Sequence, residues 1–354
     1  MTQQDALLDN LARRFEHMGS SVYGVTNVVN ASPLYAALSL GAAQDRETLS
    51  LLLYADQRQQ LGNLLFGAVH YLLLGGIQHP IAEYFASLNS APHPPDDAYP
   101  LFQAFCREYA DAIRALVNTR SVQTNEVRRC ACWIPAFVML AQRTGQPLAL
   151  VEMGSSAGLN LLFRHYGYHY SDGRKTGDLQ SPIQLACEVR GDKPPPLAEA
   201  LPAVVSQIGI DLNPVNLHDP DTVRWLRALV WPEHRDRAAL LDRALTVAAG
   251  HSLEVISGNA LDVLPDVLAN TPRDAALCIF HSYTLVYFSK DERNALAQLL
   301  LTHSAHRPVY RLSMEWLAGQ DGPQIELHSY LNGETQMELL AYAESHGRWI
   351  EWLA

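Results

Sequence analysis

Seven consecutive residues carry the strongest chemical signal in this chain: Glu152-Met153-Gly154-Ser155-Ser156-Ala157-Gly158. They follow the short apolar run Leu148-Ala149-Leu150-Val151 and precede a helical pattern over residues 159–165. The order is strand, tight loop, helix start. Gly154 permits a positive φ and removes a Cβ, so backbone can come close to a ligand. Gly158 lets the helix start pack against the strand. A helix N-terminus offers unpaired N–H groups to an anionic group. The loop therefore predicts ligand binding through Glu152, Gly154, Ser156 and Gly158, although any strand-to-helix turn can use glycine.

Three familiar loops compete for this segment. A dinucleotide fingerprint needs glycine at 154, 156 and 159, and Ser156 and Leu159 fail it. A phosphate-binding P-loop needs Gly-Lys-Ser/Thr, and the loop has no lysine. Gly154-Ser155-Ser156-Ala157-Gly158 does satisfy GxSxG, the nucleophile elbow of serine hydrolases. That fold places several strands before the elbow, whereas the preceding residues here read as helical. A hydrolase using Ser156 stays as the second reading.

Ligands of an open α/β sheet bind beyond the carboxyl ends of its strands. The polar residues that close the later apolar runs are Asp211, Asn259 and His281. Asp211 can accept from two ribose hydroxyls, or it can form a turn before Pro214. It lies far beyond the roughly 20 residues of a plain nucleotide-binding unit, which predicts an insertion. Asp178 sits at the plain distance but in a polar run. Asn259 can match an adenine edge or merely turn the chain. His281 can take a proton from a nucleophile as the catalytic base, or be a satisfied core histidine. Upstream, Gln123-Thr124-Asn125-Glu126-Val127-Arg128-Arg129 is dense in hydrogen-bonding groups. Gln123, Asn125, Glu126 and Arg128 are candidates to bind substrate over the cofactor site. The alternative reading is that Thr124 or Asn125 caps the next helix.

These residues need a scaffold. Apolar spacing predicts helices near residues 7–18, 59–74 and 101–117, with no strand before Pro147. From there strands are expected near 148–151, 168–170, 183–189, 204–210, 253–256, 275–280 and 309–314. Asp219 and Ser289 should cap helices. Residues 325–331 and 335–342 flank Asn332-Gly333, the strongest two-residue hairpin signal, and a last strand spans 348–353. The expected fold is α/β: a Rossmann-like sheet, mostly parallel with antiparallel C-terminal strands, plus a helical N-terminal domain. Residues 1–120 form the helical cap, and 121–354 form the sheet domain with an insertion at about 167–203.

Composition narrows the partners. Against 37 acidic residues stand 26 basic ones, a net charge of −11 with no basic run, so nucleic acid is not expected. No apolar run spans a bilayer and the N-terminus has no signal core, which predicts a cytoplasmic protein without membrane contact. Five irregularly spaced cysteines suggest neither a disulfide framework nor a metal site.

The segments Gln123-Thr124-Asn125-Glu126, Glu152 to Leu161, Gly209-Ile210-Asp211-Leu212-Asn213-Pro214, His281-Ser282 and His346-Gly347-Arg348-Trp349-Ile350-Glu351-Trp352 resemble the bacterial domain of unknown function 2332 family. The resemblance spans nearly the whole chain. More distantly, the core resembles class I S-adenosylmethionine (SAM) methyltransferases, whose first loop usually reads acidic-x-Gly-x-Gly-x-Gly. Ser156 replaces the middle glycine here, and Asn259 stands where Asp is common. The resemblance implies a SAM cofactor held by Glu152, Gly154, Ser156, Gly158, Asp211 and Asn259, and methylation of a small molecule. Glu152 and Asp211 would make the pocket acidic, which suits a sulfonium. A non-catalytic SAM- or nucleotide-binding protein is the third reading.

Overall fold

The computed structural model describes residues 2–24, 31–317, 319–320 and 322–354. The chain divides into two compact units, residues 1–124 with 218–239, and residues 125–217 with 240–354.

The first unit is helical. Thr2 and Asp5 form a capping box that starts the helix Gln3–His17, whose Leu8, Leu11 and Phe15 are buried. Leu61–Leu74 is buried nearly all round and forms the middle of the core. The helix expected over 101–117 differs: it starts earlier and breaks at Tyr109, giving Ala98–Glu108 and Ala110–Thr119. Tyr109 stacks on Phe105 at the break, with ring centroids 4.5 Å apart. The helix Pro220–Ala228, capped by Asp219, belongs to this unit. Its Trp225 and Ala228 join the core, and Trp225 Nε1 donates to Ser121 O at 2.8 Å.

The second unit carries the sheet. Its strands are β1 Leu148–Met153, β2 Gly167–Tyr170, β3 Lys175–Gly177, β4 Gln184–Arg190, β5 Val204–Asp211, β6 Val255–Ser257, β7 Ala276–Ser282, β8 Val309–Glu315, β9 Gln324–Leu331, β10 Glu334–Ala343 and β11 Trp349–Trp352. Their order in space is β3-β2-β4-β11-β10-β9-β8-β7-β1-β5-β6. Strands β6, β5, β1, β7 and β8 are mutually parallel, and β9 runs antiparallel to β8. The fold is thus α/β with a mixed, mostly parallel sheet. Among the described residues no strand precedes Leu148, and no helix is long and apolar enough to cross a membrane.

Side chains alternate across the sheet. Val151, Met153, Ile210, Leu277 and Ile279 pack with Leu264, Val267, Leu296 and Leu300, from the helices Ala260–Asn270 and Lys290–His303. The opposite face meets the helix Cys130–Thr144, where Trp133 and Phe137 lie edge-on to Phe280 at 5.7 and 5.3 Å. Ser289 and Glu292 form a capping box, and Asn332 and Gly333 both have positive φ in the β9–β10 turn, as the Asn-Gly pair predicts. The segment after the loop differs from expectation. Residues Leu159–His165 form a 3₁₀ turn, and the chain enters β2 directly.

Candidate functional site

Strand β1 pairs with β5 on one side and β7 on the other, all parallel. After β2–β4, which lie at the far end of the sheet, the chain continues to β5 and β6 on one side of β1 and then crosses to β7 on the other, so the strand order reverses between β1 and β7. The carboxyl ends at such a reversal are the usual ligand position in open α/β sheets. Glu152, the 154–158 loop and Asp211 come together there. Glu152 and Asp211 face the same side of the sheet, because Glu152 pairs with Gly209 two residues before Asp211.

Gly154 has φ +71, and its N–H reaches across to Ile210 O at 2.8 Å. A Cβ there would lie 2.4 Å from Thr284 Oγ1, which itself donates to Met153 O at 3.1 Å. Gly154→Ala therefore combines a left-handed backbone with a clash, and should destabilise the protein by about 2–3 kcal/mol. Urea unfolding of Gly154→Ala and of Gly154→Ala/Thr284→Ala checks this. The second change should restore the clash part only, and full additivity of the two single effects would contradict the geometry.

Ser156, although not glycine, also has positive φ, +51. Its N–H donates to Asp211 Oδ2 at 2.7 Å, and its hydroxyl accepts from Asn125 Nδ2 at 3.0 Å. Asn125 Oδ1 in turn accepts from Ala157 N–H at 3.2 Å. The second such residue among these strand ends is Tyr283, φ +54, just after β7. A bulky residue in this region is strained, and strain of this kind collects at functional sites. Tyr283 is held by its hydroxyl on Ser345 Oγ at 2.8 Å and by the Arg129 guanidinium, 4.4 Å from its ring centroid. Arg129 is itself buried. It donates from Nε to Ser345 O at 2.8 Å and from Nη1 to Ser282 Oγ at 3.2 Å.

Glu152 is buried. Oε1 accepts from Asn160 Nδ2 at 2.8 Å, while Oε2 makes no hydrogen bond, nor does the buried hydroxyl of Ser155. Burial pushes the Glu152 carboxyl up to about 8; the charge of Asp211 adds to this, and Asn160 and Arg129 oppose it. Glu152 thus keeps its proton at neutral pH. The expected doubly acidic pocket becomes one with a single charge, on Asp211.

His281 lies on the other face of the sheet, paired in register with Met153. It is fully buried, and Nδ1 bonds to Glu315 Oε1 at 2.7 Å, leaving Nε2 without a partner. Burial holds its pKa below the ordinary histidine value, against the pull of Glu315, so the imidazole is neutral. Glu315 Oε1 also accepts from the backbone N–H of Thr284 and Leu285, at 2.9 and 3.1 Å. The pair therefore anchors the turn that follows β7. Asn259 is exposed and caps the helix Ala260–Asn270 through Leu261 N–H at 3.0 Å, beside Gly258, whose N–H donates to Asp211 O. Glu126 is buried, its carboxylate accepting from Arg128 N–H at 3.2 Å, and Gln123 falls in the last residues of the helical unit. Asp178 turns the inserted segment by accepting from Gln180 N–H at 2.9 Å.

The family model of an uncharacterized protein conserved in bacteria, DUF2332, matches residues 22–352. The chain belongs to this family. The match takes in the loop, Asp211 and Arg129 alike. No curated protein matches the chain.

Sequence reasoning missed Arg129, Asn160, Tyr283 and Thr284. Arg129 closes the polar segment that drew attention to Arg128. Only the fold shows that its guanidinium reaches Ser282 at the end of β7 and Ser345 in the turn between β10 and β11.

Proposed function

We propose that the protein is a SAM-dependent methyltransferase acting on a small molecule. The observation that carries this is the strand order β6-β5-β1-β7-β8 with an antiparallel neighbour at β9, and with the glycine loop and Asp211 on adjacent strand ends at the reversal. A Rossmann-like sheet of class I methyltransferase type likewise has five parallel strands in this order and an antiparallel strand beside the fifth; here that strand, β9, follows β8 directly in the chain.

The donor set suits the cofactor. Asp211 is a half-buried carboxylate at the end of β5, placed to accept from ribose hydroxyls. Leu212, 67% exposed directly after it, offers apolar surface to a purine. The unpartnered Glu152 Oε2 and Ser155 Oγ lie beneath the loop as unused polar atoms. When bound, the cofactor supplies a methyl group on a positive sulfur, and the acceptor needs chiefly to be aligned with it. Asp211 supplies the charge that tolerates a cation. Arg129, Ser282 and Tyr283 fix the end of β7 against the turn at Ser345, which defines one wall for the acceptor. His281 and Glu315 hold the following turn from beneath.

The hydrolase reading has weaker support. A nucleophilic Ser156 needs a base to take its proton, and the group on its oxygen is the donating amide of Asn125. A binding protein without catalysis shares the cofactor site and differs only in turnover.

Calorimetric titration with S-adenosylhomocysteine tests the proposal. Asp211→Ala should weaken binding ten- to a hundredfold, the loss of charge-assisted bonds worth about 1.5–3 kcal/mol. Circular dichroism serves as the folding control. Absence of binding to the wild type, or unchanged affinity in a folded Asp211→Ala protein, overturns the assignment.

A further inference from the structure

The loop that should greet a ligand has no backbone donor to spare. Gly154 and Ser155 N–H both reach Ile210 O, at 2.8 and 3.3 Å, and Gly158 N–H reaches Ser155 O at 2.7 Å. Ser156 N–H is taken by Asp211 Oδ2 and Ala157 N–H by Asn125 Oδ1. Three of these bonds go to two main-chain carbonyls, Ile210 O in the sheet and Ser155 O in the loop, which cannot leave without breaking the fold. The other two acceptors are side chains. Of them, Asp211 is also fixed by Asn213 N–H at 2.8 Å. Asn125 is neutral, half-buried, and its bond to Ala157, at 3.2 Å, is longer than that of Asp211 to Ser156. The same amide covers the Ser156 hydroxyl, and both Ser156 and Ala157 are buried under this arrangement.

We infer that Asn125 is an internal plug, whose amide occupies the Ala157 N–H and the Ser156 hydroxyl until the anionic end of a cofactor displaces it. An anionic oxygen makes a charge-assisted bond to an N–H, roughly twice as strong as a neutral amide does, so exchange favours the ligand once it arrives. Asn125 is half-buried, so its side chain can turn towards solvent when displaced. The plug has two consequences. It satisfies buried polar groups in the ligand-free protein, and it lowers apparent affinity by the fraction of molecules in which the loop is covered.

The sign of this effect separates it from every supporting role. A residue that contacts ligand or props the loop weakens binding when removed; a plug strengthens it. The inference rests on the cofactor reading of the loop, so the probe is S-adenosylhomocysteine, titrated into wild type, Asn125→Ala and Ser156→Ala. Asn125→Ala should bind three- to tenfold more tightly. Ser156→Ala, which loses one of the two bonds, should bind about twofold more tightly. In ligand-free Asn125→Ala, hydrogen exchange of the peptide 154–158 should be faster than in wild type. If neither protein binds the probe, the cofactor reading fails and the plug falls with it, whereas tight binding by wild type with equal or weaker binding by Asn125→Ala overturns the plug alone.

Discussion

An alanine at position 347 should cost the protein about 4 kcal/mol of stability, from a left-handed backbone that alanine resists and from steric overlap. Gly347 has φ +77, and a Cβ there would stand 2.5 Å from Arg128 O, 2.6 Å from Arg128 C and 2.8 Å from Arg129 N. These are main-chain atoms at the entry to the helix Cys130–Thr144, so no rotamer relieves the overlap. With native proteins stable by only about 5–15 kcal/mol, such a loss is a large share of the whole. The turn carrying Gly347 also supplies Ser345 O to Arg129 Nε, so the Arg129 contact should be disturbed as well. Urea unfolding followed by tryptophan fluorescence reads the first effect. A loss below about 1 kcal/mol would mean the turn does not pack on Arg128 as described.

The second large effect depends on pH. Glu152 keeps its proton up to about 8 in the folded protein, against an ordinary value of 4.5. Between these limits the unfolded chain has released a proton that the folded chain still holds, so stability falls as pH rises through the window. Glu152→Gln keeps the shape and the acceptor for Asn160 but removes the titration. Its advantage over wild type should be small near pH 5 and grow towards pH 8.5, reaching on the order of 3 kcal/mol; the full shift, at ~1.36 kcal/mol per unit, sets a ceiling of about 5. Denaturation midpoints of the two proteins at pH 5 and pH 8.5 measure it. A difference that stays constant across that range would place Glu152 in a solvated setting.

Much of the scaffold could be read from the residues because the signals are local. Asn332-Gly333 adopts the two positive φ values its turn requires, and Ser289 with Glu292 caps a helix using neighbours three residues apart. Strand ends at Met153 and Asp211 follow from apolar runs closed by polar residues. What failed was set by tertiary contact. The break at Tyr109 interrupts an unbroken apolar stripe, with neither proline nor glycine to announce it. Leu159–His165 has helical spacing, yet the chain turns at once into β2, so the loop never gained the helix N-terminus that its donors were expected to come from. Glu152 and Asp211 are both acids on paper; only burial reveals that one is neutral. Arg129 is one of two adjacent arginines, and nothing in the sequence chooses between them.

The helical unit is completed by residues that come late in the chain. Trp225 and Ala228 fill its core, the ring nitrogen of His70 meets Ala228 O at 2.9 Å, and Glu233 accepts from Ser32 Oγ and Leu34 N–H at 2.7 and 2.9 Å. During translation the first 124 residues therefore leave the ribosome without their closing helix. At about 5–20 residues per second the missing segment follows roughly 5–20 s later, after β1 to β5 have been made. Until then the surface of Leu61–Leu74 that Trp225 and Ala228 cover has no partner from that helix. A gene fragment ending at residue 124 would lack Trp225, Ala228 and Glu233 altogether and leave that helical core incomplete.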